Sequence, residues 1–141
     1  MKFIRILILT IFCLPVMAKE ASVVYFQPVK VTLVGIIETQ TFPGPPNYES
    51  IAGGDEMEAG WYLKLLHPVS VLIAPKQKPL DNDIPTYNVK VVQMTIDYSM
   101  PYKNLVKNGN YVKVTGKLFR QITGHHHARV LIDVDNIEAM K

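Results

Sequence analysis

The sequence predicts an all-β domain, a small five-stranded barrel of the OB type with one short helix, and three observations carry that expectation. Five segments alternate apolar and polar residues with the period of two that a half-buried strand requires. A short stretch with helix stop signals falls between the third and fourth of them, and a glycine interrupts the first. Three strands, a helix and two strands is the order of an OB barrel. A two-sheet β-sandwich with a stray helical turn is the alternative.

The first strand is Val29 to Thr39, with Val29, Val31, Leu33, Gly35 and Ile37 on one face and Lys30, Thr32 and Glu38 on the other. Val34 and Ile36 break the polar face, and Gly35 suits a bend or bulge that curls a sheet. Trp61 to Ile73 is the second strand, where Pro68 implies an edge or a bulge. Pro75 to Tyr87 is polar and rich in turn residues, an exposed loop. Val89 to Ile96 is the third strand. Tyr102 to Lys107 follows Pro101 and stops at Asn108-Gly109, as a short helix does. Tyr111 to Arg120 directs Val112, Val114, Gly116 and Leu118 inward, and Ala128 to Val134 directs Val130, Ile132 and Val134 inward.

Met1 to Ala18 reads as a secretory signal peptide. Lys2 and Arg5 form a basic start, Ile6 to Phe12 is nearly all apolar, and Val16-Met17-Ala18 supplies a cleavage site. The apolar run is shorter than the roughly 18–20 residues of a bilayer span, so no stable membrane insertion is expected after cleavage. Thr10-Ile11-Phe12 is too bulky before Cys13 for a lipoprotein signal. The mature chain is then a single domain, residues 19–141, placed in the periplasm or outside the cell.

Cleavage removes the single cysteine, and with it any disulfide, thiolate ligand or thiol nucleophile. Of fifteen bases Lys2 and Arg5 leave, so thirteen face twelve acids and the net charge drops from +3 to about +1. There is no Lys/Arg run and no basic stripe with interleaved aromatics, which argues against a nucleic-acid partner.

Two stretches carry more chemistry than connection requires. Thr41 to Ile51 contains Phe42, Pro43, Pro45, Pro46, Asn47, Tyr48 and Glu49 and has no hydrophobic period. Its prolines stiffen the path and leave Phe42 and Tyr48 as rigid aromatic surfaces, either a cover over one barrel end or a preformed recognition loop. Trp61 follows at the barrel mouth, half core and half rim. The second stretch is Gly124-His125-His126-His127, between the fourth and fifth strands. In an OB barrel these two loops flank the binding face, so segments 42–51 and 124–127 should lie together.

If the chain continues as a strand, His125 and His127 share a side and His126 faces away. Such a pair can hold zinc or copper, with Asp55, Glu56 or Glu58 as a third ligand, but the spacing is permissive. The plainer reading is loop histidines that bond local backbone and brace the proline-rich segment. A third has them contact a partner and titrate with external pH. Ser50, His126 and Asp133 could be drawn as a triad, yet no nucleophile elbow surrounds Ser50. Asp55, Glu56 and Glu58 read as a solvated turn, and Gly53-Gly54 lacks the context of a phosphate loop.

The segment Thr41 to Ile51, the following Gly54-Asp55 and Trp61, and Gly124 to His127 resemble a bacterial exported family, domain-of-unknown-function family 4431. The resemblance extends from about Val29 to Ile137. It brings no established activity and implies only that the two loops belong together.

The resulting expectation is an exported, non-catalytic binding protein with no cofactor. It recognises a protein, a peptide or a cell-envelope glycan through the 42–51 and 124–127 loops, in an inhibitor or immunity role for instance. The alternative is a metal-binding protein or metal-dependent hydrolase, with zinc held by His125, His127 and Asp55.

Overall fold

The computed structural model describes residues 21–80 and 83–141, so the signal-peptide segment lies outside the described residues. The chain is all-β, with strands β1 (Ser22–Tyr25), β2 (Lys30–Pro43), β3 (Met57–Leu72), β4 (Thr86–Thr95), β5 (Tyr111–Arg120) and β6 (Val130–Ala139). A 3-10 helix, Pro101–Leu105, separates β4 from β5. No helix among the described residues is long and apolar enough to cross a membrane.

The five long strands bond in a ring: β2 to β3, β3 to β4, β4 to β6, β6 to β5 and β5 back to β2. All pairings in it are antiparallel except β4 with β6. That is the connectivity expected of an OB barrel. The ring is nevertheless uneven. The β4–β6 seam is limited to Gln93–Thr95 against Leu131–Asp133, and the β3–β4 ladder shifts register twice.

The alternation predicted for each strand fills the ring. Val31, Leu33 and Ile37 of β2 meet Leu63 and Val71 of β3, Val92 and Met94 of β4, Val112, Val114 and Leu118 of β5, and Val130 and Ile132 of β6. Each such apolar side chain contributes about 1.5–3 kcal/mol when fully buried. Tyr102 of the 3-10 helix is also buried in this core, and its hydroxyl donates to the Val134 carbonyl at 2.9 Å. Its phenol is pushed up in pKa, first by burial.

Several boundaries differ from the sequence expectation. β1 was not foreseen: its four residues run parallel to β3, and Phe26 beyond it bridges to Leu118 of β5. The Phe26 amide donates to the Leu72 carbonyl at 2.9 Å and the Gln27 amide to the Leu118 carbonyl at 2.7 Å, so this segment fills the gap between β3 and β5. Four residues carry too little alternation to register as a strand. β2 continues to Pro43 because the facing strand begins at Met57, so Phe42 and Pro43 belong to a ladder rather than to the loop. The helical segment is a 3-10 turn over Pro101–Leu105, not a helix over 102–107. The last strand begins at Val130, after the histidine segment, and ends at Ala139. The irregularity expected at Pro68 is present, between Lys64 and Val69.

Gly35 is required by close approach. A Cβ built there would lie 2.3 Å from the Lys64 carbonyl oxygen, a backbone atom that cannot swing away. Gly116 meets β6 in the same way, 2.1 Å from the Asp133 carbonyl oxygen. Gly35→Ala should therefore lower unfolding free energy by about 1–3 kcal/mol in urea titration, with an unchanged m-value. A neutral result would mean that the two strands separate freely at this point.

Candidate functional site

The site begins with the β2–β3 register. Phe42 pairs with Glu58, Gln40 with Gly60 and Glu38 with Tyr62, and their side chains share the face turned away from the ring interior. Trp61 has the opposite parity. It packs against the core and its indole donates to the Tyr98 hydroxyl at 2.7 Å, so it does not join the loops as expected.

Beyond Pro43 the loop is organised by Asp55, which is buried. One carboxylate oxygen accepts from the Asn47 amide at 2.9 Å, and the other accepts from the amides of Glu49 at 2.7 Å and Ser50 at 2.8 Å. These amides, Ser50 first, hold its pKa below the ordinary value. The Glu56 amide bonds the Pro45 carbonyl at 2.8 Å and the Gly44 amide bonds the Glu56 carbonyl at 2.7 Å, which ties the loop across its base. Tyr48 sits at φ 59, unusual for a large side chain. Its amide donates to the Gly44 carbonyl at 2.9 Å. Pro46, Asn47, Tyr48 and Glu49 stay exposed at the tip.

The histidine segment reaches this loop through Glu58. One oxygen of its carboxylate contacts His125 Nδ1 and the other lies 3.1 Å from His127 Nε2. An ionised carboxylate only accepts, so each imidazole donates from the nitrogen that faces it. In neutral His125 this leaves Nε2 to accept from the Tyr48 hydroxyl, 3.3 Å away. The bond to His127, followed by that to His125, lowers the Glu58 pKa. The same carboxylate is thereby kept ionised and is ill suited to act as a general acid.

Aromatic contacts reinforce the junction. His127 stacks on Phe42 with ring centroids 4.3 Å apart and planes 5° apart, and Tyr48 meets His125 edge to face at 5.6 Å. A Cβ at Gly124 would lie 3.0 Å from the Tyr48 ring, so the glycine lets the two loops close. Gln93 of β4 holds the backbone from beneath: its amide nitrogen donates to the His125 carbonyl at 2.9 Å, and its oxygen accepts from the His127 amide at 2.7 Å. Segments 42–51 and 124–127 thus form one surface, as the barrel order implied.

Phe42 also covers Tyr62, at 5.7 Å between centroids. Tyr62 is 1% exposed although it points outward from the ring, and its hydroxyl has no hydrogen-bond partner among the described residues. Burial, followed by the Glu58 charge, pushes its pKa up to about 12.

Other candidates separate. His126 turns away, accepts the Ile122 amide at Nδ1 over 3.0 Å and meets Phe119 edge to face. Burial, then its two histidine neighbours, lowers its pKa. The proposed triad is not assembled: Ser50 Oγ accepts from the Gly53 amide at 3.1 Å, and Asp133 pairs with the Thr95 hydroxyl at 3.1 Å. The set His125, His127 and Asp55 does not converge either, because the Asp55 oxygens are occupied by loop amides. Among the described residues no group of three His, Cys, Asp or Glu side chains is placed to hold a metal ion. Asp55 and Glu58 are structural carboxylates rather than parts of a solvated turn. Glu58 was marked in the sequence only as an optional third ligand beside the histidines, since its pairing with Phe42 comes from the strand register, and Gln93 gave no signal there.

Residues 91–138 match the model of a family described as Domain of unknown function (DUF4431). The similarity to this family covers about a third of the chain. The matched stretch contains Gln93 and the histidine segment and ends within β6, while the proline-rich loop lies before it. No curated protein and no solved structure matches the chain.

Asp55 sets a pH dependence. Its folded pKa is depressed, so its contribution to stability is complete above its ordinary value of 3.8 and disappears as pH falls through the lower folded value. Asp55→Asn should lower stability at pH 7 and flatten the acid limb of a stability–pH curve measured by urea unfolding. Parallel curves for the two proteins would exclude the carboxylate as the organiser of the loop.

Proposed function

We propose that this chain is an exported, non-catalytic binding protein whose partner, a protein, a peptide or a cell-envelope glycan, docks on the joined 42–51 and 124–127 loops. The observation that carries the reading is the junction itself, in which Glu58 is shared between His125 and His127 while Phe42 stacks on His127. A surface fixed before binding loses little entropy on association. Tyr48, exposed at the tip beside Pro46, Asn47 and Glu49, supplies the kind of rigid amphipathic side chain that dominates binding energy. An inhibitor or immunity role fits such a surface. The signal-like start supports export.

Tyr48→Ala should weaken capture of the partner from envelope extract by about 2 kcal/mol, roughly thirtyfold in Kd, while the protein stays folded with only a small fall in melting temperature from the lost His125 contacts. EDTA should leave capture intact. Near-stoichiometric metal in untagged protein, removable by EDTA with a large fall in melting temperature, would replace this reading with a metal-dependent one.

A further inference from the structure

Beside the junction, the outer face opens into a cleft of about 480 Å³ between β4 and the segment that follows the histidines. That size falls within the range of small-molecule sites. Its opening has a local cause. Between the pairs Val69–Val89 and Val71–Thr86, β3 advances two residues while β4 advances three, so β4 carries one extra residue. Asn88 accommodates it at φ 53, a region that asparagine tolerates better than most residues. β4 and β6 bond only from Gln93 and Leu131 onward, and the cleft lies before that seam.

The walls are chemically distinct. Phe42, stacked on His127, and the buried Tyr62 give an aromatic side. Gln40 and Asn88 bring side-chain amides to the same space. Lys90 and Arg129 are exposed there, and neither takes part in an ion pair among the described residues. The acidic groups of this face are engaged elsewhere, Glu38 with Lys64 at 3.3 Å and Glu58 with the two histidines.

We propose that this cleft is a subsite for a carboxylated sugar ring of an acidic saccharide. Lys90 and Arg129 hold the carboxylate, Gln40 and Asn88 bond hydroxyls, and the Phe42–His127 pair packs against the apolar face of the ring. A planar carboxylate matches the two parallel N–H donors of a guanidinium, and a charge-assisted pair is stronger than a neutral one. A peptide added as a strand would need a regular row of backbone groups along β4, which the bulge at Asn88 interrupts. The inference rests on the proposed binding function and names the chemistry of its partner.

The test is a calorimetric titration of the protein with a trigalacturonate oligomer, its methyl-esterified neutral form and a tetraglutamate peptide. The acidic saccharide alone should bind, with amide NMR shifts at Asn88, Lys90 and Arg129. The K90Q/R129Q double variant should weaken it about tenfold. Lys103→Gln, an exposed change on the 3-10 helix, should leave binding unaltered. Equal binding of the esterified oligomer, an equal loss in Lys103→Gln, or tighter binding of the peptide would each overturn the assignment. If the acidic oligomer fails to bind while Tyr48-dependent capture persists, the cleft assignment falls and the binding function stands. If both fail, both fall.

Discussion

The arrangement at one end of this molecule depends on a single carboxylate shared by two imidazoles. Glu58 is the second residue of β3, and the two histidines it receives come from a loop nearly seventy residues later in the chain. Exposed ion pairs contribute little individually. Here the pair is partly covered, the bonded rings are themselves stacked or edged against Phe42 and Tyr48, and Gln93 fixes the intervening backbone. Each contact restricts the same few torsions, so the entropy of ordering the loop is divided among them. The outcome is one surface built from two segments far apart in the chain.

Much of the ring was legible in the sequence, because a buried strand face must repeat every second residue. β5 was read from Tyr111 to Arg120 as it stands, and β2 from Lys30 to Ile37 buries the face that its valines, leucine and isoleucine predict. Leu131 marks a limit of that logic: it alternates with the inward Val130 and Ile132, yet it is fully buried as well. β1 marks another. Its four residues derive their order from tertiary pairing with β3, and Phe26 beyond it from a bridge to β5, which no local pattern announces.

The site was legible in its segments and opaque in its connections. Proline content and the histidine triplet marked both loops, and strand order brought them together. The separation of His125 and His127 from His126 followed from side-chain alternation, although residues 121–129 form no strand and the true cause is attraction to Glu58. What could not be read was which carboxylate would serve which purpose. Asp55 and Glu58 are three positions apart, yet one closes its own loop and the other reaches across to a second. That division follows from strand register: Glu58 is already paired with Phe42, whereas Asp55 precedes the first residue of β3.

The short first strand has a geometric consequence for how the molecule could be presented. Ser22 pairs with Val69, twelve positions along β3 from Met57, where that strand leaves the proline-rich loop. At about 3.3 Å per residue this places the entry of the chain roughly 40 Å along the strand from the joined loops. A tether attached through the amino-terminal side would therefore hold the molecule by one pole and leave the opposite pole directed outward.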